Sequence, residues 1–148
     1  MAVALFAPLF LYAEAAPAND GVEAEVRAYF AGIPVMAEIA QCESRFRQFY
    51  SLDVPLAGGS GGNMIGVFQI NAPVHASYAR SLGMDIYTLE GNFAYARLLY
   101  ENEGTRPWLS SRSCWGVKAA EIARLQALIV ELTEKLLALK QALGLAQG

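Results

Sequence analysis

Hydrophobic positions fall into helical spacing in several stretches of the chain and lose it between them. From Pro34 to Phe49 the chain reads PVMAEIAQCESRFRQF, with Met36, Ile39, Ala40, Glu43 and Phe46 recurring at the three- and four-residue spacing of one helical face. Pro34 suits a first helical position. The spacing predicts a helix that carries a carboxylate, Glu43, in an otherwise apolar stripe. A second run from Thr88 to Glu103 places Leu89, Phe93, Ala96 and Tyr100 on one face, and Gly104 stops it. Upstream, Asp20-Gly-Val-Glu23 reads as a variant capping box for a short helix closed by Gly32, with Ala24, Tyr29 and Phe30 facing the core.

Between these runs the pattern changes. Leu56-Ala-Gly-Gly-Ser-Gly-Gly-Asn63 is a flexible loop in composition, rich in residues that accept positive backbone angles or the close approach of a ligand. It leads into Met64 to Asn71, MIGVFQIN, a buried turn or short strand feeding a helix from Pro73. From Val117 onward Ala, Leu, Glu, Lys and Gln dominate. Ile122, Leu125, Ile129, Leu132, Leu136, Leu139 and Leu143 alternate by three and four, a heptad seam of about three repeats. Such a seam wants a partner, which is either another chain or its own domain.

These elements make a mainly α protein. A small helical domain over residues 17–116 contains a Gly-rich loop and a short strand region, and a long amphipathic helix follows over 117–148. Residues 1–16, MAVALFAPLFLYAEAA, form an apolar run ending in Ala13-Glu14-Ala15, the small-x-small pattern of a signal-peptide cleavage site, without a preceding basic residue. Pro8 and Glu14 interrupt it, and it is too short to span a membrane.

With 148 residues, 55% of them hydrophobic, the chain can bury one sizeable core. Its net charge of -3 gives no general basic face, which argues against a nucleic-acid partner. Two cysteines, Cys42 and Cys114, and one histidine, His75, fall short of a zinc site, and no cofactor is implied. The cysteines are therefore a disulfide or two buried thiols. The bridge is the expectation, since it agrees with the signal-like start in pointing to secretion or the cell envelope. His75, among Ala and Ser, reads as a surface residue.

The chemistry centres on Glu43. On an apolar stripe its carboxylate loses hydration, which raises its pKa and suits it to donate a proton near neutral pH. The competing arrangement turns it to solvent or pairs it with Arg47, four residues on. Arg45 and Arg47 beside it would give a locally positive cleft.

The run IAQCESRFRQF, then GVFQIN, then GNFAYARLLYENEG resembles the lysozyme-like superfamily, in particular bacterial lytic transglycosylases and resuscitation-promoting factors. The resemblance covers residues 33–115. It implies an α+β lysozyme-like fold and cleavage of the β-1,4 bond between N-acetylmuramic acid and N-acetylglucosamine in peptidoglycan. By the matching positions, Glu43 would be the catalytic acid, with Ser44, Gln69, Asn92 and Tyr95 on the substrate side. Two departures stand out. Gly62 occupies a position where transglycosylases usually carry serine, and their later Tyr-Asn-x-Gly segment has no counterpart. Instead the chain reads Trp108-Leu-Ser-Ser-Arg-Ser-Cys114-Trp115, closer to the ending of resuscitation-promoting factors and some lysozymes. Either tryptophan suits sugar stacking or core filling, and at least one is expected in the core.

A second carboxylate, usual in glycosidases, has only Asp53 and Asp85 as candidates, neither in a motif. One glutamate acting first as acid and then as base is the simpler expectation. The other reading is a non-catalytic envelope protein that keeps the fold for glycan binding and the tail for oligomerisation.

Overall fold

The structure, a computed structural model, describes residues 19–144. The signal-like segment over 1–16 lies outside the described residues. Five α-helices dominate: α1 (Asn19–Tyr29), α2 (Val35–Ser44), α3 (Ala72–Ser81), α4 (Leu89–Glu103) and α5 (Arg112–Ala142). Between α2 and α3 lie β1 (Phe49–Ser51), β2 (Val54–Pro55), β3 (Ala57–Gly58), β4 (Met64–Ile65) and β5 (Ile70–Asn71). β1 and β2 form an antiparallel hairpin, and β3, β4 and β5 form an antiparallel sheet in sequence order. The protein is mainly α with small β elements, as the periodicity predicted.

α2 is the central helix. Met36, Ile39 and Ala40 are fully buried, and Phe46, just past its end, is nearly so. Glu38 ties this helix to its neighbours through Lys118 of α5 at 3.0 Å and Arg27 of α1 at 3.9 Å. Around it Phe30, Phe68, Phe93 and Trp108 form a chain of edge-on and tilted aromatic contacts, with ring centroids 5.2 to 6.1 Å apart. Both tryptophans, Trp108 and Trp115, belong to this core, so neither is free to stack on a sugar.

Several expectations shift in detail. α1 is already helical at Asn19, and Glu23 pairs with Arg27 at 2.8 Å, while the Asp20 side chain of the expected capping box lies outside the described residues. Val26 and Phe30 face the core, while Ala24 is exposed, because the buried side of α1 is set by the four-residue step between those two. Part of the Gly-rich loop is ordered strand: β3 pairs with β4, and Gly59, Gly61 and Gly62 take the positive φ angles of the turn between them. α4 matches its predicted span, with the Thr88 hydroxyl accepting from Gly91 N at 3.1 Å and Gly104 beyond its end.

The expected boundary at 117 is not a break in structure. α5 begins at Arg112, inside the domain, and continues unbroken to Ala142. Its first turns carry Cys114 and Trp115. Cys114 is bonded to Cys42 at the end of α2, which settles the disulfide against two thiols. Closing a loop across a sequence separation of 72 residues contributes about 4 kcal/mol in the chain-entropy account. Beyond Ile122 every described residue of α5 is exposed, so the heptad seam does not fold back on its own domain. No helix among the described residues is long and apolar enough to cross a membrane.

Candidate functional site

Glu43 sits in the last turn of α2, half-buried, where the chain leaves the helix abruptly. Arg45 (φ 57°) and Phe46 (φ 59°) are both left-handed, and their amides bond back to Gln41 and Ala40. Non-glycine residues pay roughly 1–2 kcal/mol each for this conformation. What it achieves is a sharp stop, with Phe46 returned to the core directly after the exposed Arg45. Ser44 completes the stop. Its hydroxyl donates to Ala40 O at 3.3 Å and accepts from Arg47 N at 3.0 Å, which makes Ser44 a buried helix terminator.

Arg47 does not pair with Glu43; its Nε donates to Ser44 O at 2.9 Å. The partner of Glu43 is Ser111, whose Oγ donates to Oε1 at 2.5 Å. Burial pushes the Glu43 pKa above its ordinary 4.5, and the Ser111 bond opposes that rise without cancelling it. Ser111 is itself fixed by Trp115 Nε1 at 3.0 Å and by Trp108 O at 3.0 Å. Neither Asp53, exposed at the tip between β1 and β2, nor Asp85, whose carboxylate accepts from Tyr87 N at 3.1 Å, is bonded to Glu43.

The Gly66-Val67-Phe68-Gln69 segment is the four-residue connection of the β4–β5 hairpin. Gly66 (φ 71°) and Gln69 (φ 48°) bracket it, Gln69 N bonds to Gly66 O at 3.2 Å, and Gln69 Nε2 bonds to the same carbonyl at 2.9 Å. Only glycine fits at 66, since a Cβ there would lie 2.3 Å from Gln48 Oε1 and 2.6 Å from Asn92 Nδ2. Those two amides clasp the turn. Gln48 Oε1 accepts from Val67 N and its Nε2 donates to Tyr87 O, while Asn92 Oδ1 accepts from Phe68 N and its Nδ2 donates to Ile65 O and Ile86 O. Asn92 is fully buried, so the expected substrate contact gives way to a structural one.

Tyr95 is also buried, and its hydroxyl meets His75 Nδ1 at 2.9 Å. The hydroxyl expected on the substrate side is thus bonded to His75, which is itself half-buried. Burial lowers the His75 pKa against the pull of Glu103, and burial first, then Tyr78 and Glu103, raises that of Tyr95. Of the residues expected on the substrate side, Gln69 alone keeps an amide oxygen without a hydrogen bond among the described residues. Its side chain lies against Gly58, where a Cβ would come within 2.0 Å of that oxygen.

The acid and the turn are joined by one relay. Glu43 binds Ser111, Ser111 lies against Trp108, and Trp108 Nε1 donates to Phe68 O at 2.9 Å, one residue from Gln69. A recess of about 570 Å³ beside β3 is lined by Pro55, Ala57, Asn63, Ile65, Pro73 and Tyr87 among others, and Glu43 does not line it. Among the described residues no group of three or more His, Cys, Asp or Glu could hold a metal ion.

Sequence reasoning missed Gln48 and Ser111. Gln48 carries no local signal, because its partners lie 19 to 39 residues away. Ser111 was within reach: it lies one turn before Cys114, which the bridge to Cys42 holds next to Glu43. No protein-family model, curated protein or solved structure matches the chain.

Proposed function

We propose that the chain cleaves the β-1,4 bond between N-acetylmuramic acid and N-acetylglucosamine in peptidoglycan, with Glu43 as the sole catalytic acid. The observation that carries this is the setting of Glu43: half-buried at a helix end, raised in pKa by desolvation, and held by one neutral hydroxyl rather than a cation. The motif resemblance adds the substrate class. In this reading the protonated Glu43 gives its proton to the glycosidic oxygen, and N-acetylglucosamine departs with the bond's electron pair. Glu43, now a carboxylate, takes the proton of the muramyl C6 hydroxyl as that oxygen bonds to C1. A 1,6-anhydro ring forms and Glu43 ends protonated, ready for another cycle.

Gln69, with its open amide oxygen, is the one expected polar contact that stays available to a sugar amide or hydroxyl. The Cys42–Cys114 bond fits an oxidising compartment, and secretion or the cell envelope is the location that serves this substrate. α5 belongs to a separate part of the reading, as an association helix outside the chemistry. The test is to incubate the purified protein with cell-wall sacculi and weigh the released muropeptides. Anhydro products are expected, 18 mass units below the hydrolysed form by the loss of one water. Hydrated reducing ends would make Glu43 the acid of a hydrolase.

A second reading has its own observation. Glu43 lies outside the recess beside β3, and Ser44, Asn92 and Tyr95 are spent on structure. This suits a glycan-binding envelope protein without catalysis, and it predicts sacculus binding with no released product.

A further inference from the structure

Among the described residues, nothing of its own chain lies against the seam of α5 where it leaves the domain. Leu125, Ile129, Leu132, Leu136, Leu139 and Leu143 are each between 51% and 63% exposed. At the root of the seam a groove of about 300 Å³ is lined by Ile33, Val35, Tyr100, Trp115, Ala119 and Ile122 among others. We propose that α5 pairs with α5 of a second copy as an antiparallel coiled coil, with the C-terminal leucines of each copy directed to the groove of the other. This names the partner and geometry for the association role given to α5 above, and it is independent of the chemistry at Glu43.

Charge selects the orientation. In heptad terms Ile122, Ile129, Leu136 and Leu143 are a positions and Leu125, Leu132 and Leu139 are d positions, which makes Glu121 and Lys135 g positions and Gln126 and Lys140 e positions. In a parallel pair g faces the e of the following heptad. Lys135 would then face Lys140 of the second copy at both edges, and Glu121 would face only Gln126. In an antiparallel pair g faces g. With Ile122 opposite Leu139 and Ile129 opposite Leu132, Glu121 faces Lys135 of the second copy, and Lys140 faces Gln126. Lys135 is bonded to Glu131 of its own helix at 2.6 Å and keeps two further N–H donors for the approaching carboxylate.

The groove selects the same orientation independently. The antiparallel register carries Leu143 of the second copy past Ile122 toward Ala119 and Trp115, where the groove lies. In a parallel pair Leu143 would end about 30 Å along the helix from Ile122, and the groove would receive nothing from it.

The test uses the full chain with its native disulfide, which leaves no free cysteine. Light scattering should give the mass of two chains, and Leu132→Lys should give one chain with the melting transition of the domain unchanged. A monomer at every concentration for the unmodified chain overturns association itself. Ile122→Cys and Leu139→Cys, prepared separately, mixed, allowed to exchange and oxidised, should cross-link to each other at least tenfold more than either does to itself. Preferential Ile122→Cys homodimers overturn the antiparallel orientation, and a mass above two chains overturns the pair. Ala119→Trp, which fills the groove, should raise the dimer Kd about tenfold; an unchanged Kd removes the groove from the interface.

Discussion

Gln48 and Asn92 on one side, and Glu43 on the other, are polar side chains of the same domain held in opposite ways. The two amides are fully buried, and each uses both its oxygen and its nitrogen on backbone groups of the β4–β5 turn and the Ile86–Tyr87 segment. Burial of a neutral amide is offset when each polar atom finds a partner, and a saturated set of this kind fixes shape. Glu43 is less buried yet less compensated, with one hydroxyl for a carboxylate that can accept several bonds. Its charged form is therefore disfavoured. The contrast separates side chains whose polar atoms are all satisfied from one whose charged form is left undercompensated.

Glu43→Gln should break the contrast most sharply. It keeps the shape and removes the transferable proton, so wall-lytic activity should fall about 10²- to 10⁴-fold with the circular dichroism spectrum retained. Full activity would remove Glu43 from the chemistry. Asn92→Ala attacks the other side. It strands Phe68 N–H, takes a donor from Ile65 O and leaves Ile86 O only Gln48 Nε2 at 3.4 Å, and urea unfolding should show a loss of about 3 kcal/mol. An unchanged midpoint would mean that the turn holds itself through Gly66 and Gln69.

A smaller effect reads the same contrast through pH. The folded-state pKa of Glu43 lies above its ordinary 4.5, so folding favours its protonated form. Its contribution to stability is fully present below the ordinary value and declines as pH rises through the interval up to the raised one. Melting curves against pH should show that decline in the unmodified protein and lose it in Glu43→Gln. Two parallel profiles would place the carboxylate in water.

The part of this arrangement that local pattern carries was legible in advance. α2 with Glu43 on its buried stripe, α4 between Thr88 and Gly104, and the heptad seam each announce themselves by spacing within a few turns. The turn around Gly66 was legible as a motif, but not as a hairpin connection clasped by two amides, because the clasp is made by residues 19 to 27 positions away. Asn92 and Tyr95 show the limit from the other direction. Their letters fit a cleft or a core equally, and only the packing of α4 against the turn and His75 distinguishes the two. The same limit hid the continuity of α5: the composition changes at Val117, shortly after Trp115, the last buried side chain of the helix, and the helix itself had begun at Arg112.

Ser111→Ala should have the smallest effect and bears most directly on how the acid is held. Donation to Glu43 Oε1 favours the carboxylate, so removal of the hydroxyl should raise the Glu43 pKa further. If the reaction begins with protonated Glu43, activity is lost as pH rises through that pKa. The alkaline limb of the pH–rate profile should then move to higher pH in the variant. The fold should persist, since Trp115 Nε1 keeps a second acceptor in Trp108 O at 3.2 Å. The single hydroxyl proton of Ser111 also lies within reach of Trp108 O at 3.0 Å, which permits a reversal. When Glu43 is protonated, its own O–H can donate to Ser111 Oγ while Ser111 turns its proton to that carbonyl. A limb displaced to lower pH would show that this second arrangement is the stronger, with Ser111 holding the neutral acid in place until the proton leaves.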